Sequence, residues 1–154
     1  MANKALKKKL AIAGRVLAAN GQGDFTRGHI SVRLPGKKPL FLMKPHSVGL
    51  DEITAKNILT IDLAGKVVTG TARRHSEVFI HSEIYKARPD VGCVVHTHPP
   101  YAVALSGSTR PMKALSQGGG SIGTNLHGTR HTVKSCGAML RWPASHQLWY
   151  LLFE

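Results

Sequence analysis

The chain has 154 residues, which suits a single domain, and 42% of them are hydrophobic, which is enough for a globular core. No apolar run approaches the roughly 20 residues that a membrane-spanning helix needs, so we expect no membrane partner. The net charge of +13 raises nucleic acid as a partner, but the basic residues are scattered and form no zinc-finger or RNA-binding motif, which favours a small anionic substrate.

The first predicted element is an amphipathic helix over Met1–Asn20, ended by the C-cap Asn20-Gly21. A basic segment without acids also resembles a transit peptide, but its single arginine and lack of serine favour an ordinary packing helix. Its apolar positions are Leu6, Leu10, Val16 and Leu17.

A glycine-rich loop follows at Gly21–Gly28, and such a turn can direct backbone N–H groups at an anion. A plain helix-to-strand connection is the alternative interpretation. Beyond it, strands are predicted at Ile30–Arg33, Leu40–Lys44, Leu59–Asp62 and Lys66–Thr69. Lys44, at the end of the second strand, and His46, just after it, could bind an anion or simply be solvated loop charges.

A second helix is predicted from about Glu77 to Arg88, with Ser76 as its N-cap. Glu77 then lies in the first turn, where the helix dipole favours a carboxylate. Such a carboxylate could be a metal ligand, a general acid/base or only a helix-start charge. His81 lies on the same helix face, where it could be a ligand or a packing residue.

The run Val91–His96 predicts a buried strand, and two histidines, His96 and His98, mark its end. Residues two apart on a strand point the same way, so the two imidazoles could form half of a divalent-metal site or simply face solvent. Tyr101 opens an apolar helical segment, where its phenol could contact substrate or join the core. Cys93 and Cys136 form no disulfide framework, so we expect a reduced, cytoplasmic protein.

Three stretches together resemble the class II aldolase/adducin family: H-S-E at His75–Glu77, I-Y-K-A-R-P-D-V at Ile84–Val91 and V-V-H-T-H-P at Val94–Pro99. Upstream, T-R-G-H-I-S-V-R at Thr26–Arg33 is similar to that family's Gly-Asn-Ser turn and first strand. The resemblance covers about residues 11–117. It implies a three-layer α/β/α sandwich with a mainly antiparallel central sheet, usually in a homotetramer.

The resemblance also implies a site. A zinc or similar divalent ion, Zn²⁺ first and Mn²⁺ as the alternative, would be held by His96, His98 and a third histidine downstream. Glu77 would be the catalytic acid/base. The residues assigned to substrate binding are Gly28, His29, His46, His75, Ser76 and Tyr101.

Two positions in that site depart from the family's phosphosugar aldolases. His29 stands where those enzymes carry Asn, and His75 where they often carry Ser. An imidazole suits a carboxylate or an enol oxygen equally well, which favours a carboxylated substrate over a sugar phosphate.

The resemblance stops near Gly118, after which the chain contains three consecutive glycines and only one acid, Glu154. We therefore expect an aldolase-like domain over residues 1–117, truncated at its C-terminus, and a divergent or frameshifted tail over residues 118–154. The family's Asn-His-Gly motif, which supplies the third metal histidine, is not matched at its usual distance. His127, in the similar but earlier Leu126-His127-Gly128, is the first candidate for that ligand, ahead of His131 and His146.

The function predicted on this basis is a divalent-metal-dependent lyase that cleaves a C–C bond of a hydroxy or oxo carboxylate or sugar-type substrate through an enolate. The motifs do not separate aldolase, decarboxylase and epimerase. A non-catalytic adducin-like or degraded family member is the second hypothesis, and a basic nucleic-acid-binding protein is the third.

Overall fold

The computed structural model describes residues 2–106, 126–127, 132–133 and 150–153. None of the helices in these ranges combines the length and the hydropathy that a membrane crossing requires. The chain divides into two compact units, Met1–Pro99 with Leu151–Glu154 and Pro100–Tyr150. The first unit carries the candidate site, and the predicted boundary at residues 117 and 118 lies outside the described residues.

The elements follow the order of the sequence. The first unit contains α1 (Ala2–Leu17), a π-helical turn (Ala18–Gln22), β1 (His29–Arg33), β2 (Leu40–Met43), β3 (Leu59–Asp62), β4 (Val67–Thr69), α2 (Val78–Ala87) and β5 (Cys93–His96). Later in the chain come α3 (Pro100–Ser106), β6 (Leu126–His127), β7 (Thr132–Val133) and β8 (Tyr150–Phe153).

Six strands form one sheet in the order β4-β3-β2-β1-β5-β8. The neighbouring pairs from β4 to β5 are all antiparallel. In the pair formed by β1 and β5, His29 lies opposite His96, and Ser31 lies opposite Val94. Opposed residues project to the same face of a sheet, so this register brings His29 and His96 together.

The two faces of the sheet carry different helices. Ile30 and Val95 face α1, where they pack in one buried cluster with Leu10 and Ala11. Ser31 faces the other way, because successive strand residues alternate, and its hydroxyl lies 2.8 Å from the Tyr85 hydroxyl of α2. The sheet is therefore sandwiched between α1 and α2, which confirms the predicted three-layer α/β/α arrangement.

Local details differ from the predictions at element ends. Gly21 takes φ +70° after α1, in agreement with the predicted Asn20-Gly21 cap. The predicted N-cap Ser76 is wrong, because Glu77 occupies the cap position and the helix begins at Val78. The amide N–H of Glu77 donates to His75 Nδ1 (3.3 Å), so a side chain outside the helix satisfies it.

Candidate metal and acid–base centre

Three elements of the first unit converge on one point of the sheet. His29 opens β1, His96 ends β5, and Glu77 precedes the first residue of α2. One ligand atom from each of these residues lies within 4.8 Å of the others, in a group that could hold a metal ion. The convergence follows from the antiparallel register, which places the start of β1 beside the end of β5.

His96 and His98 also converge, although the strand that carries His96 ends there. Their Nε2 atoms are 2.7 Å apart, and the two rings meet edge to face. His98 Nδ1 lies 2.8 Å from the carboxylate of Asp24, which fixes the tautomer that leaves Nε2 as a lone-pair donor. Sequence reasoning assigned no role to Asp24, although an acid among loop glycines was a visible signal.

His29 and Glu77 form the acid–base part of the centre. His29 Nε2 lies 2.9 Å from Glu77 Oε2. The His29 ring is wholly buried and stacks on His96 with 4.4 Å between centroids and 8° between planes, whereas the Glu77 side chain is 35% exposed. The carboxylate therefore joins the buried histidines on one side and solvent on the other.

Two further histidines line the same region. His75 is buried, and its ring centroid lies 4.4 Å from that of His29 and 5.6 Å from that of His46. His46 is half-buried, with Nδ1 2.5 Å from Ser47 Oγ, and Ser47 takes φ +58°. This left-handed conformation is uncommon outside glycine.

The other residues predicted to bind substrate are placed differently. Ser76 is exposed beside Glu77. Gly28 is buried, and a Cβ there would lie 3.1 Å from Leu50 Cδ1, so the lack of a side chain serves close packing. Tyr101 is 91% exposed and belongs to the second unit. The Lys44 ammonium donates to the carbonyls of Thr26 and Val48 at 2.7 and 2.6 Å, as a buried structural cation.

His81 is fully buried and takes part in packing. Its Nε2 lies 2.5 Å from His29 Nδ1, and its Nδ1 lies 2.6 Å from Ser31 Oγ. Sequence reasoning missed Ser31 and Tyr85 as partners. The signal was present as spacing, since His29 and Ser31 are two apart on a strand and His81 and Tyr85 are four apart on a helix.

Burial sets the charge state of these groups. It holds the pKa of His29 and of His81 well below the ordinary value, and neighbouring histidine and lysine charges act in the same direction. Burial, with the nearby Lys44 ammonium, lowers the pKa of His75 to about 4, and burial with His98 lowers that of His96 to about 4. The imidazoles are therefore neutral at pH 7, which is the form that binds metal.

The donor set fits a divalent ion. Neutral imidazole nitrogens with a carboxylate nearby are typical ligands of zinc, and two of these nitrogens already approach one point. The predicted third ligand, His127, belongs to the two-residue strand β6, and its side chain lies outside the described part of the structure. His131 and His146 are likewise outside it.

Comparison with known proteins extends the resemblance. Residues 8–134 match the family described as class II aldolase and adducin N-terminal domain. A protein of Caulobacter vibrioides, named provisionally as a class 2 aldolase, is 34% identical over 110 residues, 70% of this chain and 43% of that protein. Alpha-adducin of Rattus norvegicus is 29% identical over 134 residues, 84% of this chain and 18% of adducin.

Solved structures give the same relationship. An aldolase II superfamily protein from Pseudomonas syringae has a TM-score of 0.73 and 31% identity, over 80% of this chain and 51% of that one. An L-fuculose 1-phosphate aldolase from Glaciozyma antarctica has a TM-score of 0.70 and 30% identity, over 76% of this chain and 49% of that one. This chain spans about half the length of these structures and less than half of the Caulobacter protein.

Proposed function

The chain belongs to the class II aldolase and adducin family, and from that membership we propose that it carries the metal-binding and acid–base residues of a lyase. The reaction would cleave a C–C bond of a hydroxy or oxo carboxylate, or of a related sugar-type substrate, through an enolate. The observation that carries the proposal is the convergence of His29, Glu77 and His96, with ligand atoms within 4.8 Å of one another, next to His98.

The metal would be held by His96 and His98, with His127 proposed as the third ligand. Zn²⁺ suits this donor set best and Mn²⁺ is the alternative. A divalent ion at this position supplies Lewis-acid polarisation of a substrate oxygen and stabilises negative charge that develops there. The Asp24 carboxylate orients His98 for this role through the 2.8 Å contact with Nδ1.

Glu77 would move the proton. In an aldol cleavage, the substrate hydroxyl proton passes to the carboxylate as the C–C bond breaks, and the bond electrons stay on the other fragment as an enolate. Glu77 then returns the proton to the enolate carbon and is again a carboxylate. If the leaving fragment is carbon dioxide, the proton is drawn from solvent through the 35% exposed side chain.

The substrate is proposed to be a small anion. His46 and His75 lie beside the acid–base group, and the basic chain with its charge of +13 would attract an anion toward it. Gly28 and Ser76 of the same unit complete the proposed substrate-binding set. By analogy with the relatives, we also propose a cytoplasmic homo-oligomer, with a tetramer as the expected state.

Metal titration tests the proposal. The metal-free protein should bind Zn²⁺, and His96→Ala and His98→Ala should each weaken that affinity at least about 10-fold. His46→Ala makes the same change in a histidine that contacts Ser47, and it should keep the wild-type affinity. Unchanged Zn²⁺ affinity in both His96→Ala and His98→Ala would refute the proposed metal site and, with it, the proposed lyase function.

A non-catalytic scaffold is the second candidate function, favoured by the match to alpha-adducin over 84% of this chain. The two candidates differ in one measurable property. A lyase should contain stoichiometric metal after purification without chelators, whereas a scaffold should contain little and should bind none tightly on titration.

A further inference from the structure

Behind Glu77, a chain of buried polar side chains runs between the sheet and α2. We propose that Tyr85, Ser31, His81 and His29 are positioning residues that form one polarised hydrogen-bonded chain ending on the Glu77 carboxylate. The use of that carboxylate in turnover rests on the proposed function. The existence and direction of the chain do not, and they can be tested without a substrate.

The contacts are continuous from end to end. Tyr85 Oη lies 2.8 Å from Ser31 Oγ, and Ser31 Oγ lies 2.6 Å from His81 Nδ1. His81 Nε2 lies 2.5 Å from His29 Nδ1, and His29 Nε2 lies 2.9 Å from Glu77 Oε2. The participants alternate between β1 and α2, so the chain ties the strand to the helix that carries Glu77.

The direction of every bond follows from the charge at one end. A carboxylate only accepts, so His29 Nε2–H must donate to Glu77. A neutral imidazole has a single N–H, so His29 Nδ1 accepts, and His81 Nε2–H donates to it. His81 Nδ1 must then accept from the Ser31 hydroxyl, whose oxygen accepts from the Tyr85 hydroxyl.

Burial supports the neutral state that this derivation uses. His29, His81 and Ser31 have no exposed surface, and Tyr85 is 1% exposed. Burial also raises the pKa of the Tyr85 hydroxyl, so that it stays protonated and remains a donor. With four neutral members and one carboxylate, each bond dipole points its positive end toward Glu77, and such bonds strengthen one another.

The far end of the chain is also fixed. The Arg33 guanidinium carbon lies 4.5 Å from the centroid of the Tyr85 ring. Arg33 also donates to the carbonyls of Tyr85, Arg88 and Val91 at 2.8, 2.9 and 2.9 Å. Tyr85 of α2 is thereby held against Arg33, the last residue of β1, and the hydrogen-bonded chain has a fixed origin.

In this hydrogen-bonded chain, His29 Nε2 donates to Glu77 and does not bind a metal ion. If His29 Nε2 bound a cation, its lone pair would replace the N–H, and every bond behind it would have to reverse. His29 would then be protonated on Nδ1 and His81 on Nδ1 as well. The two directions therefore differ in the tautomer of both histidines, which is directly measurable.

The first experiment is ¹⁵N NMR of the histidine rings, at neutral pH, in the metal-free protein and after addition of one equivalent of Zn²⁺. We expect His29 and His81 to be Nε2–H tautomers in both states. Ser31→Ala should weaken the preference of His81 for that tautomer, because its Nδ1 loses a donor. An Nδ1–H tautomer of His29, or of His81, in the wild-type protein in either state would overturn the proposal.

The second experiment measures the consequence for proton transfer, as exchange of the α-protons of hydroxypyruvate with solvent deuterium by the Zn²⁺-loaded protein. Ser31→Ala and Tyr85→Phe should lower kcat by about 10- to 100-fold with little change in KM or Zn²⁺ affinity. Ser31→Thr, which keeps the hydroxyl, should recover most of the rate.

Ser82→Ala is the matched control, because Ser82 is also a buried serine but contacts the Phe79 carbonyl at 3.4 Å outside the chain. It should leave the rate unchanged. Equal rates in Ser31→Ala and Ser82→Ala would refute the positioning role. A wild-type protein inactive in this exchange would count against the proposed function instead. The NMR result would still show whether the hydrogen-bonded chain exists and which way its bonds point.

Discussion

Glu77 is the N-cap residue of α2, and both its side chain and its backbone have a histidine partner. Its own amide N–H donates to His75 Nδ1, its Oε2 accepts from His29, and α2 begins at the next residue. One carboxylate oxygen is thus held by a buried imidazole while the side chain remains 35% exposed. A carboxylate that is hydrogen-bonded to a buried side chain and also accessible to solvent is suited to exchanging a proton with substrate or solvent.

Replacing this carboxylate by an amide tests its role. Glu77→Gln keeps the size of the side chain but cannot accept a proton, so we expect kcat to fall by about 10²- to 10⁴-fold. Zn²⁺ affinity should change little, because His96 and His98 are intact. The measurements are hydroxypyruvate proton exchange and Zn²⁺ titration on the same preparation. Lost Zn²⁺ affinity would make Glu77 a ligand, and full activity would exclude it from proton transfer.

At the same scale, the sequence predicts individual positions better than their partners. The pairing of His96 with His98 follows from a spacing of two residues at a strand end. The partners of Glu77 do not follow from local spacing, because they depend on the register of β1 against β5 and on the placement of α2 over β1. The sequence accordingly predicts a substrate contact for His29, whereas in the structure both of its ring nitrogens contact other side chains.

Among the elements, the strands were the most predictable, since their apolar runs and turn residues are local signals. Helix starts were less so. Ser76 is a better N-cap than Glu77 by residue type, but His75 accepts from the Glu77 amide and the helix starts one residue later. Between β2 and β3, residues 51–57 form turns rather than a helix. There Thr54 and Asn57 bond to each other through side chain and backbone, which competes with a helix.

The contact between α1 and the turns after β2 can be tested at Gly14. An alanine inside a helix normally stabilises it by about 1 kcal/mol over glycine. At Gly14, however, the new Cβ would lie 2.5 Å from the Leu50 carbonyl oxygen and 2.7 Å from Ile53 Cδ1. Because backbone must shift to relieve the overlap, Gly14→Ala should instead lower the free energy of unfolding by about 1–3 kcal/mol in urea titration.

Gly92→Ala is the control for that measurement. Apart from Gly92 itself and its two chain neighbours, no described residue has an atom within 4 Å of a Cβ built there, and its φ is not in the left-handed region. Gly92→Ala should change the free energy of unfolding by no more than about 0.5 kcal/mol in either direction. A Gly14→Ala protein as stable as wild type would mean that α1 does not pack tightly on this turn.

At the scale of the whole molecule, composition alone gives little beyond a globular chain with excess positive charge. The layered arrangement was predicted through the order and spacing of motifs that resemble a family, and the sheet with α1 and α2 on opposite faces agrees with it. The long-range assembly of four buried histidines was not predictable. It arises because the start of β1, the end of β5, the N-terminal half of α2 and the residues just before α2 meet at one point of the sheet.

That assembly makes the stability of the metal-free protein depend on pH. Folding holds the pKa of each buried histidine below its unfolded value of about 6.5, so the unfolded state binds more protons as the pH falls through that value. The stabilisation is therefore present above about pH 6.5 and is lost toward pH 4, with each histidine contributing a slope of about 1.4 kcal/mol per pH unit. Urea unfolding at about pH 7 and about pH 5 should show this loss. His81→Gln should reduce the slope of the unfolding free energy against pH by about 1.4 kcal/mol per pH unit, the contribution of one proton. An unfolding free energy that is flat or rises on acidification over this range would contradict the neutral burial of His29, His75, His81 and His96.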